Sequence, residues 1–122
     1  MNKSWIDIEL IETTVFSRHL HEFMDDDDYR EFQEELARDP GQGVKIRGSC
    51  GLRKVRRGAK GKGKRGGCRI LYAYREKAGE IWMLVIYGKN EMDDIDSESL
   101  KMLCRMMDEY EKQKAKYRGR AH

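Results

Sequence analysis

The 122-residue sequence predicts an α+β fold: a small twisted, mainly antiparallel sheet with an N-terminal helical pair and a C-terminal helix. Three observations predict it. Apolar residues recur at helical spacing twice in the first forty positions. Three strand-like segments then follow one another between Leu52 and Tyr87, and a last helical stripe closes the chain. Helices segregated from a consecutive run of strands are expected to lie on one face of the sheet, leaving the other face accessible.

Each element has a local reason. Ile6, Ile8 and Leu10 alternate with Asp7 and Glu9, the period of a strand with one face on a core. Thr13 or Thr14 offers an N-cap for a helix carrying Phe16, Leu20, Phe23 and Met24. Asp25 to Asp28 then suit the positive N-terminus of a second helix, with Tyr29, Phe32 and Leu36 as its stripe and Pro40-Gly41 as its stop. The spaced ligands of a calcium loop are missing from that aspartate run. Leu52 to Arg57, Arg69 to Arg75 and Ile81 to Tyr87 read as strands. The last is a nearly continuous apolar run, and Glu76 to Glu80 turns the last two into a hairpin. Asp96 or Ser97 caps a final helix whose Leu100, Leu103, Met107 and Tyr110 face the sheet. Residues 1–111 form a single domain, and 112–122 read as a basic, flexible tail.

Composition narrows the function classes. No apolar run approaches the roughly 20 residues of a membrane span, and Met1 to Asp7 lacks the apolar stretch of a signal peptide, which predicts a cytoplasmic protein. Cys50, Cys68 and Cys104 form an odd set without CxxC spacing, so reduced thiols are expected. His19, His21 and His122 supply no cluster for a metal, and neither metal nor cofactor is expected.

Charge is the strongest functional signal. Between Val44 and Arg75 stand twelve basic residues, seven glycines and no carboxylate, whereas the rest of the chain holds 13 basic residues against 22 acidic ones. The net charge of +3 hides this polarity. A self-repelling segment of this kind fits an external polyanion such as a phosphate backbone. On a strand, Val55 directed into the core sends Lys54 and Arg56 to the opposite face. Arg69 opens the next strand, and Tyr87 and Lys89 end the last, so these residues can converge on one patch. Arg53, Arg57, Lys60, Lys62, Lys64 and Arg65 are the candidate RNA-binding residues around it. Gly58 to Lys64 fits the spacing of a phosphate-binding Walker loop as far as its lysine. Arg65 then stands where a magnesium-ligating serine or threonine belongs, and a strand follows instead of a helix.

Three stretches carry a more specific resemblance: Gly51-Leu-Arg-Lys-Val-Arg56, Gly61-Lys-Gly-Lys-Arg-Gly-Gly-Cys-Arg-Ile-Leu-Tyr72 and Ile86-Tyr-Gly-Lys-Asn-Glu91. Together with the element order from Ile6 to Met107, they are similar to the HigB branch of RelE-type toxins, the toxin halves of bacterial type II toxin–antitoxin pairs. The resemblance implies the RelE-like microbial RNase fold and a metal-independent mRNA endoribonuclease acting in the ribosomal A site. It implies as partners the ribosome, the message and a cognate, HigA-like helix-turn-helix antitoxin. By motif, Lys54 and Arg56 match the family's strand bases and Arg69 its transition-state arginine. Lys54 would transfer a proton while Arg56 and Arg69 hold phosphoryl oxygens. Two positions depart from the pattern. Asn90 stands where some relatives have arginine, leaving Lys89 to supply that charge. The C-terminal tyrosine of some relatives has no counterpart, leaving Tyr87 as its substitute. The alternative from another class is a non-catalytic RNA- or DNA-binding module using the same basic face. The gyrase-directed branch of the fold lacks this cationic set.

Overall fold

The computed structural model describes residues 8–58, 67–88 and 95–120, with side chains as far as residue 115. In chain order its elements are β1 (Glu9–Glu12), α1 (Thr14–Leu20), α2 (Asp26–Arg38), β2 (Val44–Lys45), β3 (Leu52–Arg57), β4 (Cys68–Arg75), β5 (Glu80–Gly88) and α3 (Ser97–Arg120). They form an α+β domain around a five-stranded sheet of order β1-β5-β4-β3-β2. Every neighbouring pair is antiparallel except β1 with β5.

The helix starts follow their capping chemistry. Thr13 Oγ1 accepts the Phe16 amide at 3.0 Å and donates to the Leu84 carbonyl at 2.7 Å, tying the start of α1 to β5. Asp25 Oδ1 accepts the Asp28 amide at 2.8 Å, and Asp26, Asp27 and Asp28 fill the first turn of α2. At α3 the capping side chain is Asp96, whose Oδ1 accepts the Ser99 amide at 2.7 Å. That bond is the main reason its carboxyl group lies below the ordinary aspartate range.

The layering departs from the sequence reading. Phe16, Leu20, Phe32 and Leu36 pack with Ile70, Tyr72, Ile81, Met83 and Ile86 on one side of the sheet. On the other side Leu100 and Met107 of α3, with Leu103 and Tyr110, pack on Leu52, Ala73, Trp82 and Leu84. Helices therefore cover both faces. The cause is the near-continuous apolar run of β5: its alternate side chains project in opposite directions, so each face needs a covering layer.

The C-terminal segment also differs. Instead of fraying at residue 112, α3 continues to Arg120. Lys114 pairs with Glu80, a carboxylate only 2% exposed that also accepts the Trp82 indole N–H at 3.1 Å. A buried carboxylate without a cation is costly, and this pairing ties α3 at Lys114 to the sheet. The edge ring of Tyr110 meets Trp82 at 4.1 Å between centroids, extending the same contact. β1 occupies Glu9–Glu12, with Ile8 and Leu10 on the α1–α2 side. Ile6 lies outside the described residues.

Candidate functional site

Residues on β3 alternate between the two faces, and their contacts show which face each takes. Arg57 points to the α2 side. Its guanidinium is 2.6 Å from Glu35 Oε1 and 3.8 Å from Glu31 Oε1, and it lies 5.1 Å over the Phe32 ring, leaving the side chain 15% exposed. Arg53, on the same side, donates from Nη1 to the carbonyls of Gly41 at 3.1 Å and Gly43 at 2.8 Å. These two arginines fasten α2 and the following turn to the sheet. Both are engaged by groups of the protein itself, and Lys60, Lys62, Lys64 and Arg65, which the sequence groups with them as RNA contacts, lie outside the described residues.

That turn is built closely against β4. Tyr72 Oη donates to the Pro40 carbonyl at 2.7 Å and accepts the Gly43 amide at 2.9 Å. A Cβ at Gly43 would lie 2.8 Å from the Tyr72 ring and 3.0 Å from the Lys54 carbonyl oxygen, so only glycine fits there. Burial raises the Tyr72 phenol above its ordinary pKa. The turn delivers Val44 to its position opposite Lys54.

Lys54 and Arg56 occupy the face shared with α3. The β3–β4 register sets Arg56 opposite Arg69, and the β4–β5 register sets Arg69 opposite Tyr87. Directly opposed residues share a face with Cβ atoms about 5 Å apart. Arg56, Arg69 and Tyr87 thus form one transverse row over three strands, with Lys54 in the next row on that face. Arg56 is exposed, Lys54 and Arg69 are half-buried, and Tyr87 is buried at 3% exposure. Tyr87 therefore forms part of the floor of the row, with little ring surface open for stacking. Among the described residues, no ion pair joins Arg56 or Arg69 to a carboxylate.

Beside this row, at the outer edge of β3, is a concavity of about 440 Å³ lined by Gln42, Val44, Lys54, Val55 and Arg56. Gln42 and Val44 were not among the sequence candidates. β2 is only two residues long, and its signal, Val44 and Ile46 flanking Lys45, is too short to read as a strand. Val44 is 72% exposed beside Lys54, an apolar rim to a cationic hollow.

Opposite Arg57 stands Cys68, between two cations yet not activated by them. Burial pushes its thiol up to about 11, outweighing the opposing pull of Arg57 and Arg69. At neutral pH it is a protonated core thiol. Lys60, Lys62, Lys64, Arg65 and Lys89 lie outside the described residues. No group of three or more His, Cys, Asp or Glu among the described residues could hold a metal ion, and no helix among them is long and apolar enough to cross a membrane. The cationic row and the hollow at its end are suited to an anionic ligand, with two guanidinium forks for oxygens and a lysine beside them. No protein-family model matches the chain.

Proposed function

We propose that this protein is the toxin of a type II toxin–antitoxin pair, a ribosome-dependent mRNA endoribonuclease of the HigB-like kind that acts in the cytoplasm. The observation that carries the reading is the opposition of Arg56 and Arg69. Like charges directly opposite on neighbouring strands destabilise a sheet. A scissile phosphate between them would turn that repulsion into charge-assisted binding. The motifs from Gly51 to Glu91 supply the rest of the support.

In the proposed reaction the message's 2′-hydroxyl attacks the adjacent phosphorus and the bond to the 5′-oxygen breaks. Lys54 serves proton transfer at the attacking or leaving oxygen, and Arg56 and Arg69 hold the non-bridging oxygens as negative charge accumulates. Lys89, by motif, adds a further cation. A helix-turn-helix antitoxin is the proposed inhibitor.

Primer extension on a translating message, with purified protein and intact ribosomes, tests the proposal. New 5′ ends at A-site codons are expected, and Arg69→Ala should reduce them about 10²- to 10³-fold while leaving the fold intact. The burial of Tyr87 favours a second reading, a non-catalytic RNA- or DNA-binding module on the same face, because it withholds the one phenol assigned to the chemistry. That reading gains if no cleavage occurs and Arg69→Ala merely weakens binding with a smaller salt slope.

A further inference from the structure

The sequence reading of three reduced thiols is overturned at one place: Cys50 and Cys104, 54 residues apart, form a disulfide with their Cα atoms 5.8 Å apart. No spacing motif marks the pair. The fold brings it together by laying α3 across the start of β3. The bridge joins α3 to the 46–51 loop, which closes through Ile46 N–H to Leu52 O at 2.9 Å and Leu52 N–H to Ser49 Oγ at 3.0 Å. Gly51, at φ 88°, takes a backbone conformation that a side chain would strain, and it turns the loop into β3.

The surroundings distinguish the two sulfurs. Cys50 is exposed and Cys104 half-buried. Arg75 donates from Nη1 to the Cys50 carbonyl at 3.3 Å, holds Nη2 4.0 Å from Cys50 Sγ, and is itself oriented by Glu111 at 3.1 Å. The Cys50 amide lies 3.1 Å from Cys104 Sγ. A concavity of about 290 Å³ opens at the bridge, lined by Cys50, Arg75, Cys104, Arg105, Asp108 and Glu111, with charges of both signs.

We propose that Cys50 is a thiol-exchange site for a small peptide thiol bearing both ammonium and carboxylate groups, and that exchange there unlatches α3 from the 46–51 loop. The external thiolate attacks Cys50 Sγ, the reachable sulfur, and the S–S bond breaks with its electron pair leaving on Cys104 Sγ, where the Cys50 N–H stabilises the anion. A mixed disulfide remains on Cys50. A second external thiolate attacks the outer sulfur of that bond and expels the Cys50 thiolate beside the Arg75 guanidinium. The two protein sulfurs gain two electrons and take up protons, and the two external thiols become one disulfide. Oxidised peptide disulfide runs the same steps backwards and closes the latch.

Glutathione and its disulfide are the probes. Reduced full-length protein treated with glutathione disulfide is expected to regain the Cys50–Cys104 bridge and release glutathione. Cys104→Ser should instead trap a glutathione adduct, mapped to Cys50 by peptide mass spectrometry. In Cys50→Ser, adduct formation at Cys104 should be at least about tenfold slower, as its lesser exposure requires. Reduction of the wild-type protein, which needs no variant to fold, should accelerate amide exchange at least about tenfold in 46–52 and 97–107 and leave 14–38 unchanged. The proposal is overturned if the reduced protein does not rebuild the bridge, if Cys104 reacts as fast as Cys50, or if reduction leaves exchange in both segments unaltered. None of these readouts depends on ribonuclease activity.

Discussion

Four basic residues of β3 divide by parity, and the two halves have different fates. Arg53 and Arg57 are bound by carbonyls, carboxylates and an aromatic ring on the α2 side. Lys54 and Arg56 lie on the other face, where Arg56 is opposed by another arginine. A basic run on a strand is thus two populations. One is engaged within the fold, Arg57 by carboxylates of α2 and Arg53 by carbonyls of the turn that follows it, and the other lies on the sheet face shared with α3. Counting cations along the chain overstates the charge available to a polyanion, because part of it is already spent inside the fold.

The largest expected effect tests the ligand-facing half. Arg69→Ala should lower message cleavage about 10²- to 10³-fold, the usual consequence of removing one donor to a transition-state anion. Its thermal stability should change by only about 0.5 kcal/mol. Single-turnover cleavage and a melting curve on the same preparation check both halves, and a stability loss that accounted for the activity loss would erase the division.

Arg57→Ala should do the reverse. Losing the Glu35 and Glu31 pairs and the Phe32 contact should cost about 2 kcal/mol, a fall of about 8 °C in Tm for a domain of this size. RNA affinity per folded molecule should stay the same. If affinity fell in step with stability, Arg57 would belong with Arg56 after all.

A smaller difference separates Arg56 from Arg53. Arg56→Ala should reduce the slope of log affinity against log salt for single-stranded RNA by about 0.7, the loss of one phosphate contact. Arg53→Ala should leave that slope unchanged and cost about 1 kcal/mol of stability by releasing the turn at Gly41 and Gly43. Filter binding across a salt series distinguishes them.

The smallest effect concerns α3, which covers part of the sheet face that also carries Lys54 and Arg56. The Asp96 carboxyl is held low chiefly by the Ser99 amide, so its folded-state pKa is below that of the unfolded chain. Its stabilisation is therefore complete above about pH 4, the ordinary aspartate value, and is lost as pH falls through the lower folded-state value. Asp96→Asn keeps a good N-cap but cannot titrate. The urea midpoint of the wild-type protein should fall relative to this variant below about pH 4, and parallel curves would show that the cap does not support α3.

Much of this architecture was legible because it is written at short range. Thr13, Asp25 and Asp96 announce helix starts through side-chain oxygens that reach amides three residues on, and Pro40 announces a stop. The alternation around Val55 correctly paired Lys54 with Arg56. Two features lie beyond that range. The apolar run of β5 calls for cover on both faces, whereas the order of helices and strands along the chain suggests one. The basic composition of residues 112–122 suggests a tail, whereas α3 continues past residue 112 and Lys114 has a buried carboxylate to meet.

By itself, then, the sequence determined the order of the longer elements, their caps, the shared face of Lys54 and Arg56 and the concentration of positive charge between Val44 and Arg75. These follow from periods of two and 3.6 residues and from bonds within a turn, all local. Only the tertiary structure decided that Arg56 faces Arg69 and Tyr87, that Arg57 is claimed by Glu35, that β2 exists, and that Cys50 meets Cys104. Each of those depends on strand register or on where a distant helix crosses the sheet. Such pairings are set by the packing of the whole chain and leave no spacing in the sequence to read.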